Sequence, residues 1–475
     1  MMMDGNRRFL EADVIKPKRI GATLGRFAQY FKPYWIHLIV VVILSFANVW
    51  MQVEIPKLSE QAVNCYIFPT NAATCTFTDI SGGLTDDARI AGLGTLALLM
   101  LAAFALSSVP TGLAFWTMRE AGQRVLLRMR ADLINKIHAL SLGYYTKHEA
   151  GDIMSRVTND IDTINQAIAF ALLNLFSGVL LLVWLFITMM QANVPYTLLT
   201  LSVVPFMVIV TTYFSTQARR AYRKSRQEIG NVNANLQESI SGAREVQAFN
   251  REDESIEAFR QKNAANRDIN VRAAAFTSVL SPALEAFGYV SLGIVVLVGG
   301  LSVLRNEPIL PGTGVISLGL VIAFIQYSQR FSQPIQQIAL LWTNVQSAIA
   351  GGERIFNLLD EEVEIQDVPN AAQMPQIQGR VTFEDVHAEY EKGEPVLKGV
   401  NFEAQPGQMI AIVGPTGAGK TTVINLIPRF YDVSGGAVKI DGVDVRSVTQ
   451  ASLRQQIGIV LQDSFLCSDT ILENI

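Results

Sequence analysis

Charged residues, histidines and cysteines are all scarce in this sequence of 475 residues. Charged side chains make up 17% and hydrophobic ones 50%, and the mean hydropathy is +0.28. A soluble protein of this length carries more charge, so these values favour a membrane protein with soluble appendages. The net charge of −4 gives no sign of a nucleic-acid partner, and the four histidines and three cysteines show no spacing typical of a metal site.

Six apolar stretches are long enough to cross a bilayer. The polar first twenty residues do not resemble a cleavable signal peptide. About 20 residues in a helix cover the ~30 Å of hydrocarbon, and lipid offers the backbone no hydrogen bonds, so helices are predicted. Buried helices of a soluble protein are the alternative, which six such segments disfavour. The stretches are Trp35–Pro56, Gly92–Met118, Ile164–Met190, Tyr196–Thr216, Thr277–Leu304 and Val315–Trp342.

Positive charge is concentrated at the N-terminus and in every second connection between these stretches. The turn Gln191–Pro195 has no charged residue, and the loop Asn306–Gly314 has only Glu307, with Arg305 beside it. Because positively charged loops stay in the cytoplasm, we expect both termini there. The expected location is the plasma membrane, most simply the bacterial cytoplasmic membrane.

Helices are also predicted outside the spans. Apolar residues recur every four positions in Met118–Leu142, and Arg219–Ala275 is charged and free of proline, so both favour cytoplasmic helical extensions. Before Pro33, a short helix on the inner leaflet is predicted, with a frayed tail as the alternative. Its apolar face consists of Ile20, Leu24, Phe27 and Phe31.

Several residues of the outer loop and the spans leave two interpretations open. Cys65 and Cys75 face the non-cytoplasmic side, where they are either a disulfide or two free thiols. The cytoplasmic Cys467 is interpreted as a packing residue. Glu285 either lines a pathway or belongs to an aqueous helical extension. A stripe on the sixth span favours a water-filled cavity, with interhelical hydrogen bonding as the alternative and Pro334 permitting a kink. Its members are Gln326, Gln329 or Arg330, Gln333 and Gln337.

The last hundred residues change pattern. Short alternating segments begin near Val381, and Asp441-Gly442 predicts a hairpin. The apolar run Met409–Val413 is predicted to be a strand. It leads into Gly414–Thr421, GPTGAGKT, and a helix-like segment follows, which is the context that a phosphate-binding loop requires.

The residue types of this loop suit a nucleoside triphosphate. Gly414, Gly417 and Gly419 allow the backbone to bend so that its N–H groups surround the β- and γ-phosphates. Lys420 adds a fixed positive charge, the Thr421 hydroxyl is predicted to bind Mg²⁺, and the start of the next helix adds its dipole. The predicted cofactors are therefore ATP and Mg²⁺.

Six spans followed by this motif resemble an ABC exporter half-transporter of the lipid-flippase and multidrug-exporter branch. Further runs carry the resemblance: YYTKHEAGDIMSRVTND at Tyr144–Asp160, QESISGAREVQAFNRE at Gln237–Glu252 and AGGERIFNLLD at Ala350–Asp360. It implies an α-helical polytopic membrane domain with six transmembrane helices and the ABC exporter type 1 fold, followed by a partial α/β P-loop NTPase domain. The expected domains are 1–33 (cytoplasmic, with the interfacial helix), 34–345 (transmembrane), 346–379 (linker) and 380–475 (first part of the nucleotide-binding domain).

The same resemblance implies roles for single residues. Tyr390 matches an aromatic that stacks on adenine, although a strand tyrosine without a ligand is the alternative. Gln462 matches a glutamine that touches Mg²⁺ or the attacking water and couples the two domains. Tyr145–Ile153 and Gly242–Phe249 match two coupling helices. The expected nucleotide-binding residues are Tyr390, Gly414, Thr416, Gly417, Ala418, Gly419, Lys420, Thr421 and Thr422.

The resemblance also implies partners. Two halves, identical or different, would dimerise in the lipid bilayer and export a hydrophobic or amphipathic substrate with ATP; a non-hydrolysing gating protein and a peptide exporter are the alternatives. The family's signature, second Mg²⁺ carboxylate, general base and switch histidine come later than Ile475. We therefore expect the 475-residue chain to belong to a longer protein and not to hydrolyse ATP alone.

Overall fold

The computed structural model describes residues 19–68, 75, 85–311, 313–391, 393–461, 466 and 468–474. Contacts divide the chain into two compact units. The first, which we name the helical unit, comprises 1–130 and 158–356; the second, the sheet unit, comprises 131–157 and 357–475.

The elements follow one another in a simple order, with long helices before a small sheet. The helices are α1 (Ile20–Phe31), α2 (Trp35–Gln61), α3 (Asp86–Ala139), α4 (Leu142–Lys147), α5 (Ala150–Ser155), α6 (Ile161–Gln166), α7 (Leu172–Ala192), α8 (Val194–Leu201), α9 (Val204–Ser241), α10 (Ala243–Ala248), α11 (Glu252–Ser278), α12 (Leu280–Arg305), α13 (Leu318–Asp360), α14 (Lys420–Leu426) and α15 (Gln450–Arg454). The strands are β1 (Val381–Glu389), β2 (Pro395–Ala404), β3 (Gly435–Ile440) and β4 (Val443–Asp444).

Long apolar helices match the predicted spans. Five stretches among the described residues are long and apolar enough to cross a membrane, and they contain the first five predictions. The sixth predicted span lies in α13, which is helical but is not one of the five, so its crossing stays a prediction. The five stretches are Ile20–Ile67, Asp86–Ala139, Ala150–Ala192, Val194–Ser241 and Glu252–Arg305.

Two of the predicted spans differ from the observed helices at or near prolines. The first span was predicted to end at Pro56, but α2 continues through this residue to Gln61. The fourth predicted span is two helices, because Pro205 lies in the first turn of α9 and cannot donate to the turn before it. The extension predicted at Arg219–Ala275 also contains turns, one of which has Asn250 in the left-handed region at φ 51°.

Buried side chains join the helices of the helical unit. Tyr196 of α8 is fully buried, donates its hydroxyl to the Val295 carbonyl oxygen at 2.7 Å and stacks on Phe324 of α13 at 4.3 Å between ring centroids. On α3, the predicted periodic face is confirmed in part by the fully buried Val125 and Met129.

Two alternatives left open by the sequence are resolved, one for the pair Cys65 and Cys75 and one for the N-terminal segment. Cys65 and Cys75 form a disulfide with their Cα atoms 5.8 Å apart. The predicted N-terminal helix is present as α1, and it packs through Phe27 against Phe356 of α13, with ring centroids 5.2 Å apart. Leu24, one turn earlier, is 49% exposed. Cys467 lies outside the described residues.

The sheet unit is built on four antiparallel strands in the order β2-β1-β3-β4. Phe383 of the central strand is buried, stacks on Phe402 of β2 and pairs across to Val438 of β3. The hairpin prediction is confirmed, because Asp441 and Gly442 connect β3 to β4 with φ values of 49° and 83°. Both left-handed residues are what a two-residue hairpin turn needs.

The strand predicted at Met409–Val413 is wrong for this structure. The segment is irregular, and its end residues Met409 and Val413 are 96% and 86% exposed. A strand is stabilised by ladder hydrogen bonds to a neighbour and by a buried face. No neighbouring strand pairs with this segment within the described part of the chain, so the apolar pattern alone does not make it a strand.

Candidate nucleotide-binding site

The phosphate-binding motif forms a tight loop at the start of α14. Gly417 and Gly419 have φ values of 87° and 84°, in the region that favours glycine. A Cβ on Gly419 would also lie 2.7 Å from Cδ2 of Leu397. The backbone path of the loop therefore depends on glycine for both its dihedral angles and its packing.

The ammonium group of Lys420 lies against this loop. Its Nζ donates hydrogen bonds to the carbonyl oxygens of Gly414 and Pro415, both at 2.8 Å. The side chain of Thr421 follows on the exposed side of the helix, whereas Thr422 is buried. The loop therefore presents a positive charge and a hydroxyl on adjacent residues, a donor set that suits a triphosphate and its cation.

Tyr390 is held beside this loop at the end of β1. Its hydroxyl donates to Oγ1 of Thr422 at 3.0 Å, and its ring meets that of Tyr431 edge-on, with centroids 4.7 Å apart. The ring is 40% exposed. An anchored, part-exposed ring next to the phosphate loop can offer a face to a planar base, so the geometry suits the predicted adenine contact, which stays a prediction.

The first predicted coupling segment belongs to the same compact unit as the loop. Tyr431 shares a hydrogen bond with Thr146 of α4, and burial raises the pKa of its phenol. The Ile365 backbone N–H donates to Oγ of Ser141 at 3.1 Å, and Lys147 lies 3.5 Å from a carboxylate oxygen of Glu364.

These contacts begin earlier in the chain than the predicted segment Tyr145–Ile153. A Cβ on Gly143 would lie 3.5 Å from Cε1 of Tyr431. Sequence reasoning missed the contacts of Tyr431 and Ser141, because their partners Thr146 and Ile365 lie more than two hundred positions away in the chain. The second predicted segment, Gly242–Phe249, contains the short helix α10, and Phe249 is 75% exposed.

The other residues predicted to serve function are Gln462, Glu285 and the glutamine stripe of the sixth predicted span. Gln462 falls outside the described residues, so its catalytic and Mg²⁺ roles stay predictions. Glu285 is exposed on α12. Two members of the glutamine stripe, Gln333 and Gln337, line a cavity in the helical unit, and Gln326 does not.

A resident metal cluster is not found among the residues that the structure describes, where no three His, Cys, Asp or Glu side chains converge. A Mg²⁺ ion at the loop would be held by the Thr421 hydroxyl and by nucleotide phosphates and water, with Gln462 as the other predicted protein ligand. This is the usual mode for Mg²⁺ in phosphate-transfer sites, since the ion keeps several waters.

Two family matches cover most of the sequence. Residues 32–335 match the ABC transporter transmembrane region, and residues 397–474 match the ABC transporter family. The chain belongs to the ABC transporter family. Its membrane region and its phosphate-binding loop thus fall in two parts of one known architecture.

Several bacterial relatives share this organisation. A fatty acid ABC transporter ATP-binding/permease protein of Mycobacterium tuberculosis is 36% identical over 74% of this chain and 54% of its own length. A putative multidrug export ATP-binding/permease protein of Bacillus subtilis is 31% identical over 95% of this chain and 74% of its own. An ATP-dependent lipid A-core flippase of Syntrophus aciditrophicus is 30% identical over 74% and 57%.

The chain spans 54% of the length of the first of these relatives and 63% of that of another Bacillus subtilis ABC transporter ATP-binding protein. A solved structure of a bacterial Atm1-family ABC exporter with ATP bound has a TM-score of 0.64 at 22% identity. The match between the two structures covers 92% of this chain and 72% of the solved chain, and this likeness shows the exporter fold.

Proposed function

We propose that this ABC transporter exports a hydrophobic or amphipathic substrate across the plasma membrane at the expense of ATP. It would act as one half of a dimer, with both termini in the cytoplasm. The observation that carries the proposal is the loop Gly414–Thr421, whose Lys420 ammonium is held against the loop backbone. The relatives named for fatty acids, lipid A-core and multidrug export support an amphipathic substrate.

Each residue of the site has a definable task in this function. Lys420 would exchange its two carbonyl contacts for phosphate oxygens, which are stronger acceptors because they are charged. Tyr390 would hold the base, since its hydroxyl is fixed by Thr422 and its ring stays accessible. Mg²⁺, when bound by Thr421, supplies charge neutralisation at the β- and γ-phosphates.

The contacts of α4 support a mechanical link from the nucleotide to the membrane helices. Tyr431 contacts both the Tyr390 ring and Thr146 of α4. If nucleotide binding shifts the two tyrosine rings, the hydrogen bond to Thr146 would pass that displacement to α4. Helix α4 follows α3 after a turn, and α3 contains the second predicted span. We infer that this connection transmits movement during transport.

Nucleotide binding by the purified 475-residue chain in lipid nanodiscs tests the proposal. Lys420→Ala is expected to weaken binding of a fluorescent ATP analogue by about 10- to 100-fold, because charge-assisted hydrogen bonds contribute about 1.5–3 kcal/mol. Lys398→Ala is the matched control, since Lys398 is an exposed lysine of β2 in the same unit. Equal affinities of the two variants would refute the assignment of the loop.

A further inference from the structure

An open cavity of about 160 Å³, lined by both polar and apolar side chains, lies in the helical unit between α2, α3, α7 and α13. None of its seventeen lining residues is Asp, Glu, Lys, Arg or His. Five carboxamide side chains line it instead: Asn48, Gln52, Asn174, Gln333 and Gln337. In a segment of membrane-spanning helices, so many converging polar groups are costly and mark a functional site.

The carboxamides come from three helices. Asn48 and Gln52 are one turn apart on α2, Gln333 and Gln337 are one turn apart on α13, and Asn174 projects from α7. At the edge, α7 and α13 approach closely where Gly178 meets Pro334. A ligand in the cavity would meet amide groups from three helices.

The hydrogen bonds of these side chains argue against a role as interhelical connectors. Nε2 of Gln52 donates to Oδ1 of Asn48 at 3.1 Å, and Nδ2 of Asn174 donates to the carbonyl oxygen of Phe170 at 2.8 Å. Both bonds join residues four positions apart along one helical segment. A carboxamide has two donors and an oxygen that accepts twice, so each of these groups keeps capacity for a ligand.

The volume sets the size of the group that fits. A cavity of about 150 Å³ accepts a six-membered ring, whereas pockets for whole drug-sized ligands measure roughly 300–1,000 Å³. The cavity in this transporter, at about 160 Å³, thus accommodates one ring of a larger molecule. The apolar lining residues Leu44 and Phe115 would contact the adjoining part of that molecule.

We propose that this cavity binds the uncharged, hydroxyl-bearing ring of an amphiphile, such as the sugar of an alkyl glycoside. Hydroxyl groups donate and accept, and so do carboxamides, whereas a phosphate, sulfate or ammonium group would lose water without gaining a counter-charge. The inference rests on the proposed function, because the ring would be the headgroup of the exported substrate.

Photolabelling of the full chain in phosphatidylcholine nanodiscs tests the inference without nucleotide. The probe is a hexyl glucoside with a diazirine on the alkyl chain, and the labelled peptides are identified by mass spectrometry. Competitors are unmodified hexyl glucoside, free glucose and hexyl sulfate. We expect labelling of peptides from α2 and α13, displaced by hexyl glucoside and not by hexyl sulfate. If glucose competes as well as hexyl glucoside, a free sugar is the source of the ring and the recognition proposed here still holds.

Two sets of variants make the test specific. Gln333→Leu combined with Gln337→Leu should weaken hexyl glucoside competition about tenfold or more, since two ligand hydrogen bonds are lost at similar side-chain volume. Asn174→Leu, on α7, should act in the same direction and serves if the double variant fails to fold. Gln329→Leu is the control, because Gln329 is exposed on α13 and does not line the cavity.

Three results would overturn the inference: labelling confined to other helices, equal competition by hexyl sulfate, or equal effects of the control and cavity variants. These outcomes are separable from failure of the proposed function. The glucoside assay contains no nucleotide, and the ATP-binding assay contains no glucoside. Normal ATP binding with no ring selectivity would reject only the cavity assignment.

Discussion

An ion pair between a buried carboxylate and a partly exposed arginine joins two distant segments of the helical unit and gives the sharpest stability prediction. Asp160 lies in a π-helical turn between α5 and α6, and Arg354 lies near the end of α13. Nε of Arg354 donates to Oδ2 of Asp160 at 2.9 Å, and Nη2 donates to Oδ1. Only 8% of the Asp160 side chain is exposed, and Gly351 packs against it.

Arg354→Ala is expected to destabilise this junction strongly. The substitution leaves a buried carboxylate without its bidentate guanidinium partner, which lowers the stability of the junction by about 3–5 kcal/mol. If the amides of this junction exchange through local opening, this loss of free energy makes their exchange faster by about two to nearly four orders of magnitude. Arg354→Lys keeps the charge and loses the planar fork, so its effect should be smaller.

Hydrogen–deuterium exchange of the full chain in nanodiscs measures this effect in peptides covering 158–166 and 350–357. Arg130→Ala is the control, because its partner Asp162 is 63% exposed and such surface pairs contribute at most about 1 kcal/mol. Replacing both partners, Asp160→Leu with Arg354→Met, should restore slow exchange because no charge is left buried. Equal exchange in the Arg354→Ala and Arg130→Ala variants would refute the reasoning.

Two further predictions concern the sheet unit. Burial acts to raise the pKa of Asp441, but hydrogen bonds from backbone N–H groups before β1, that of Arg380 first, lower this pKa overall. The ionised carboxylate therefore stabilises the fold above the ordinary pKa of Asp, and this stabilisation is lost as pH falls through the pKa of the folded state. Asp441→Asn should therefore speed exchange of those amides by about fivefold or more at pH 7, and a gap between variant and wild type that persists unchanged at pH 2 would contradict this. Tyr390→Ala should weaken ATP binding about tenfold, whereas Tyr390→Phe, which keeps the ring, should lose less; equal losses would show that stacking is not the contact.

Local rules explain which parts of the fold the sequence predicts. The helices of the helical unit are predicted from long apolar runs, because a chain in lipid must form its backbone hydrogen bonds within the segment itself. The turn at Asp441-Gly442 follows from two residues that tolerate positive φ, and the loop at Gly414–Thr421 follows from glycine spacing before a lysine. Each of these signals lies within about twenty residues, so one sequence contains all of it.

Elements that depend on a distant partner are less predictable. The run Met409–Val413 is continuously apolar and contains β-branched residues, as buried strands do, yet strand formation requires a neighbour at the right position. The contact of Tyr431 with Thr146 and the ion pair of Asp160 with Arg354 join residues 285 and 194 positions apart. Each partner alone resembles an ordinary polar surface residue, so a single sequence gives no reason to pair them.

The N-terminal helix is predicted correctly from its apolar face, but the partner that covers part of this face differs from the expected one. The face containing Phe27 was expected to lie in the inner leaflet, and the helix is present as predicted. In the structure, however, Phe27 packs on α13, where a Cβ on Gly352 would lie 2.5 Å from its Cζ. The glycine is therefore required by the close approach of the aromatic ring, and the same ring contacts Phe356 one turn later. An apolar helical face specifies burial, but whether lipid or a glycine-lined helix covers it depends on residues more than three hundred positions away.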